Sequence, residues 1–185
     1  MAHERILDGA KSVLVIVDVQ EAFRSVIGDF ALIASNIARA ARGFQILDIP
    51  MIVTEQYPTG LGRTAEEILL TFPDEFEPVE KTAFTAFGSE AFRKQIADSR
   101  ASHVILCGVE THVCVSQTAH DLLDDGLSVH LLTDCVGSRF EHDKRAGLKK
   151  MRSSGVVSSS MEMAIFELMR DAKHPKFKEI QALIK

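Results

Sequence analysis

The pattern of apolar and polar positions begins with "SVLVIVD", residues 12–18, an unbroken aliphatic run closed by a carboxylate. Such a run predicts a strand buried on both faces, as in a parallel sheet. "FALIASNIARAARGF" (30–44) then places apolar residues at helical spacing, with Gly43 positioned to stop the helix. "PMIVTEQ" (50–56) predicts a second short strand, "AFRKQIADS" (91–99) a helix, and "SHVILCG" (102–108) a third strand. "THVCVSQTAHDLLDDG" (111–126) predicts a helix with Thr111 as N-cap and Gly126 at its C-terminal end. A strand at 127–134, a helix over "EHDKRAGLKKMRSS", a short strand in "GVVSSS" and an apolar-faced helix, "MEMAIFELMR", complete the pattern.

Strands alternating with helices predict an α/β domain of three layers, a Rossmann-like α/β/α fold with a central, mostly parallel sheet flanked by helices. No repeat or linker divides it, so residues 1–185 are expected to form a single domain. The longest irregular stretch runs from about Tyr57 to Gly88, with four of the five prolines in or just before it, and suggests a lid or pocket wall. In open α/β sheets ligands bind beyond the carboxyl ends of the strands. Asp18, Glu55, Gly108 and Asp134 end the predicted strands and are therefore expected along one edge.

Composition changes this picture only by exclusion. The net charge of -5 argues against a nucleic-acid or anionic-membrane partner. "KRAGLKKMR" is a local basic stretch that reads as a solvated helix face. "MAHERILDGA" has no apolar targeting core, and no apolar run is long enough to span a bilayer. Three cysteines without CxxC spacing fit free thiols in a reducing, cytoplasmic setting.

The three thiols are not equivalent. Cys107 lies in a buried strand, where desolvation raises a thiol's pKa and makes it inert. Cys114, three residues past Thr111, falls in the first turn of a helix. Unpaired backbone N–H groups and the helix dipole favour a thiolate there, and the same groups can hold the oxyanion of an attacked carbonyl. Cys135, in "TDCVGSR", is a rival near the same edge without so clear a helix start, and reads as filler. Asp18 is the obvious carboxylate to accept a proton, since a buried Asp after "VLVIV" is costly unless compensated. Lys81, in "EKTAFTAFGS", is a candidate cation that spacing alone does not separate from a solvated lysine. Gln20 shares a face with Asp18 and is a candidate substrate contact. Phe23, Tyr57, Phe84 and Phe87 are candidates for a pocket wall, with core packing as the alternative, and Glu55 either binds a substrate donor or ends its strand. His112 reads as a partly exposed helix residue, and Asp134, Ser138 and Arg139 as residues that fix a loop.

"VLVIVDVQEAF", "VTEQYPTGLGRT", "VEKTAFTAF" and "VILCGVETHVCVSQTAHDLLDDGLSVHLLTDCVGSR" together resemble the isochorismatase-like cysteine hydrolase superfamily, in order from residue 13 to 139. Within it, "EQYPTGLG" is most similar to the isochorismatase domain-containing proteins. The resemblance implies a catalytic triad of Asp18, Lys81 and Cys114, acting through a thioester on an amide-like C–N bond of a small molecule. It also implies a cis peptide at Val109–Glu110 that aims the Glu110 and Cys114 N–H groups at an oxyanion, and a homo-oligomer to which the C-terminal segments contribute. Lys81 would lower the pKa of both partners. Nicotinamidases of the superfamily carry an Asp-x-His metal site where this chain reads "TEQYP", so no metal and no cofactor are expected. True isochorismatases tend to lack the cysteine, and its presence points to C–N cleavage. The alternatives are a non-catalytic interaction protein on the same fold, or a redox sensor in which Cys107 or Cys135 resolves an oxidised Cys114.

Overall fold

The computed structural model describes His3 and residues 5–185, so the reading of the amino-terminal segment lies partly outside the described residues. Six strands form one sheet: β1 (Ser12–Val17), β2 (Met51–Gln56), β3 (Val79–Lys81), β4 (His103–Val109), β5 (Ser128–Gly137) and β6 (Val157–Ser159). All neighbours are parallel, in the order β3-β2-β1-β4-β5-β6, with the change of direction between β1 and β4.

Every residue of β1 is buried, because successive side chains enter different cores. Leu14 and Ile16 pack beneath α1 (Phe30–Ile46), α7 (Met161–Met169) and α8 (Phe177–Ile184). Val13, Val15 and Val17 pack on the other face, beneath α4 (Glu90–Ser99), α5 (Ser116–Asp124) and α6 (Glu141–Ser153). A central strand without a wet face needs the continuous apolar run that the sequence supplies.

Three expectations are corrected. Gly43 does not stop α1, which continues to Ile46; a Cβ at Gly43 would lie 2.7 Å from Ile165 Cδ1, so the glycine serves the close approach of α7. Asp134 does not end its strand: β5 runs on to Gly137 after a register shift opposite Leu106/Gly108, and Asp134 turns outward to accept from the Met161 N–H at the start of α7. The C-terminal tail packs on this chain through Ile180 of α8, which is buried in its core. The 57–88 stretch is not structureless, for it contains α2 (Pro58–Leu61), α3 (Glu66–Leu69) and the edge strand β3.

That stretch is also strapped down. Ala65 N–H donates to Val19 O, Glu21 N–H to Arg63 O, and Arg24 pairs with both Glu21 and Glu67. It is a fixed wall beside the end of β1. Among the described residues no helix is long and apolar enough to cross a membrane.

Candidate active site

The site grows from the end of β1. Asp18 follows the last strand residue at φ 52°, in the left-handed region that residues other than glycine seldom adopt. Its backbone turns while its N–H still donates to Thr54 O of β2 at 3.1 Å, and its side chain is fully buried. Next to it, Gly108 of β4 has φ 126°, and a Cβ there would fall 2.1 Å from Val17 O. Only glycine allows β1 and β4 to approach so closely at this point.

Asp18 Oδ2 accepts from Lys81 Nζ at 2.6 Å, and Oδ1 accepts from Thr54 Oγ1 at 2.6 Å. Lys81 reaches Asp18 from β3, two strands away. Its ammonium also donates towards Gln56 Oε1 at 2.8 Å, Phe84 O at 3.0 Å and Ala83 O at 3.1 Å. Three N–H donors thus face four acceptors, leaving none free for a ligand. The Lys81 side chain is 1% exposed and that of Asp18 0%, so the pair is buried and hydrogen-bonded on both sides.

Cys114 enters from beyond β4. The peptide Val109–Glu110 is cis, and Thr111–Val115 forms a π turn before α5 begins at Ser116. Thr111 is therefore not an N-cap: its hydroxyl donates to Gly137 O at 3.0 Å and ties the turn to the end of β5. The Glu110 carbonyl receives the N–H groups of Val113 at 3.0 Å and Val115 at 3.3 Å. The Cys114 N–H, between them, is not among its donors. The Glu110 side chain accepts from both the backbone N–H and Nε of Arg139, which agrees with a loop-fixing role for Arg139. His112 is partly exposed and meets Ser138 Oγ through Nδ1 at 3.1 Å.

The electrostatics differ from expectation. Burial lifts the Asp18 carboxyl above its ordinary value, against the Lys81 charge and the hydrogen bonds from Lys81 and Thr54. Burial, reinforced by the Asp18 charge, pushes the Cys114 thiol up to about 12; Lys81 offsets only part of this. Lys81 lowers both groups as expected, but desolvation outweighs one ammonium that is already shared, and the net shift of each is upward. Cys114 rests as a thiol with a strengthened base against it. Cys107 and Cys135 are fully buried and shifted up further by burial, as expected of fillers.

The remaining pocket candidates divide. Gln20 is fully buried, and its amide is spent on the backbone: Nε2 donates to Gln56 O at 3.0 Å and Gly62 O at 2.7 Å, and Oε1 accepts from Gln56 N–H at 2.8 Å. Glu55 points away from the ion pair and accepts from the Thr64 N–H and hydroxyl. Phe23 packs on the α1 core. In this structure all three are engaged by this chain's own packing or hydrogen bonds. Phe87 is half-buried and set edge-on to Phe92, whereas Phe84 and Tyr57 are exposed. Tyr57 and Lys81 line a cleft of about 500 Å³ along β3, with Pro58, Thr82 and Ser89.

Sequence reasoning missed Thr54 and Gln56. The signal was period two: flanking Glu55 on β2, they share the face opposite to it, and that face meets Asp18 and Lys81. Among the described residues no three of His, Cys, Asp or Glu gather into a set that could hold a metal ion.

A buried carboxylate–ammonium pair beyond the carboxyl ends of a parallel sheet, facing a thiol at a helix entry, defines an α/β protein of the isochorismatase-like class. The isochorismatase domain matches residues 12–163, and the chain belongs to that family. It is similar to isochorismatase domain-containing protein 2 of Homo sapiens, 42% identical over 183 residues that cover 98% of this chain and 86% of that protein. The Danio rerio protein of the same name is 41% identical over 94% of this chain and 86% of its own length. Among solved structures, the MAR1 ribonuclease from Caenorhabditis elegans superposes with a TM-score of 0.91 at 37% identity, covering 97% of this chain and 92% of that one.

Proposed function

We propose that this chain is a metal-independent cysteine hydrolase that cleaves an amide-like C–N bond of a small molecule. The observation that carries the reading is the Cys114 thiol held against the buried Asp18–Lys81 pair. Cys114 Sγ attacks the carbonyl carbon as its proton passes to Asp18, and a tetrahedral adduct forms. The C–N bond then breaks, Asp18 returns the proton to the leaving amine, and a thioester remains. Water attacks the thioester with Asp18 again taking its proton, and the acid and free thiol are released. Lys81 acts through Asp18, keeping the carboxylate ionised and oriented. The Glu110 and Cys114 N–H groups are assigned to the oxyanion.

The raised proton affinity of Asp18 supports its role as base, since a carboxylate of ordinary acidity would be a poor acceptor for a thiol. Tyr57 and Phe84 are proposed to border the substrate, being the aromatic candidates left exposed. The name of the Caenorhabditis elegans relative attaches ribonuclease activity to that protein. For this chain, the net charge of -5 and a thiol nucleophile favour a small carbonyl substrate over a polyanion. A redox role is disfavoured by the complete burial of Cys107 and Cys135. We place the protein in the cytoplasm, on its three free thiols, and as a homo-oligomer, on the exposed Leu32, Met163 and Phe166 of the adjoining α1 and α7.

The test is ammonia release from a panel of small primary amides, ureides and carbamoyl compounds, with Cys114→Ala in parallel. Release that disappears in Cys114→Ala is expected. Release that survives the substitution, or none across the panel, would remove the reading.

A further inference from the structure

The ammonium of Lys81 has one neutral side-chain acceptor, and that side chain is itself clamped. Gln56 presents Oε1 to Lys81 Nζ at 2.8 Å while its Nε2 donates to Thr82 O at 2.6 Å. The assignment is unambiguous in chemistry, because an ammonium only donates and a carbonyl only accepts. The Gln56 backbone is gripped in turn by the Gln20 amide through both its N–H and its carbonyl. Gln20 lies two residues beyond Asp18, so the base and the device that orients its cation are built on the same short segment. Mobile lysines dilute their field over many rotamers; here the amide cage selects one.

We infer that Gln56 is a positioning residue that fixes the Lys81 ammonium on Asp18, with Gln20 as its clamp. The inference rests on the proposed Asp18–Lys81–Cys114 reading. The charged groups around the site are Asp18 after β1, Lys81 on β3, and Cys114 and Glu110 between β4 and α5. Glu110 is neutralised by Arg139. None of these is carried by β2, so Gln56 alters the site without changing its charge.

The experiment is the rate of Cys114 alkylation by iodoacetamide between pH 5 and 9, resolved by peptide mass spectrometry, with a melting curve for each variant. In Gln56→Met the acidic limb of the profile should move up by about one pH unit, a roughly tenfold slower rate at the acid end. Gln20→Met should shift it in the same direction by less. Glu55→Gln, which loosens the neighbouring strap, should leave the profile in place. If Gln56→Met lowers only the melting temperature and its profile overlays the parent's, Gln56 is a strap and the inference is overturned. Should Gln56→Met not fold, Gln56→Asn is read by the same criterion. Lys81→Met separates the two levels. A profile that moves in Lys81→Met but not in the Gln56 variants defeats this inference alone, and one that moves in neither defeats the triad.

Discussion

At the residue scale, the decisive contest is between desolvation and a single ammonium. Asp18 and Lys81 are each buried and each is the other's charge partner. Removing one partner strands the other, at a cost of about 3–5 kcal/mol. Lys81→Met and Asp18→Asn should therefore each lose that much in urea unfolding, and the double variant should recover a large part of it. Additive losses would show that the two charges are not coupled. For turnover, Asp18→Asn removes the group proposed to take and return the proton, and on that proposal a loss of about 10²–10⁴-fold in kcat is expected on any amide the parent hydrolyses. Much of this was legible beforehand. A lone Asp after five aliphatic residues announces a compensated charge, and the carboxyl-edge rule gathers it with the strand–helix junction that carries Cys114. The proton affinities were not legible, because they depend on how completely the fold excludes water. The internal bonds of Gln20 and Glu55 were not legible for the same reason: position predicts which edge a polar side chain reaches, not whether backbone groups claim it first.

Among the elements, the long middle stretch was hardest to read. Val79–Lys81 is only three residues of strand, too short for an alternating signal, yet it is the strand that delivers Lys81. The prolines suggested a loop, and the helical turns between them are each four residues. What orders this stretch is tertiary: hydrogen bonds from Gln20 and Glu55 and the fork of Arg24. The long strands and helices, by contrast, carried their own period and were recovered in place and type, with the end of β5 and the start of α5 each misplaced by several residues. Gly43 shows the opposite failure, a local stop signal overridden by packing against α7. The closest approach in the site, that of Gly108 to Val17, gives an element-scale prediction. Gly108→Ala places a Cβ against the Val17 carbonyl and imposes an unfavourable φ, so a loss of at least about 3 kcal/mol is expected in chemical denaturation. A variant of parental stability would mean that β1 and β4 separate freely.

For the whole molecule, burial of three thiols sets a limit on alkaline stability. In the unfolded chain they titrate near 9.0, while in the fold burial holds each protonated well beyond that. Below pH 9 both states keep their protons and stability is complete. Above it the unfolded chain releases protons that the fold retains, and stability falls as pH rises towards the folded values. Each thiol contributes a slope of about 1.4 kcal/mol per pH unit. Cys135→Ala should flatten the slope of unfolding free energy between pH 9 and 11 by about one thiol's share. An unchanged slope would mean that Cys135 is not protected by the fold. Cys114 is set apart by its carboxylate, for Asp18 faces it, whereas Asp134 beside Cys135 is engaged by the Met161 N–H at the start of α7.

The most direct test is therefore the pH profile of Cys114 alkylation in the folded protein. If Asp18 is its base, thiol with carboxylate and thiolate with carboxylic acid are two forms of one pair at the same total charge, and their ratio does not vary with pH. A level stretch is predicted between the titration of Asp18 and that of Cys114 near 12, and in Asp18→Asn it should give way to a continuous rise. If Cys114 in the parent protein instead reacts about tenfold faster with each pH unit throughout, as an isolated buried thiol does, Asp18 does not take its proton. The hydrolase mechanism would then have no base.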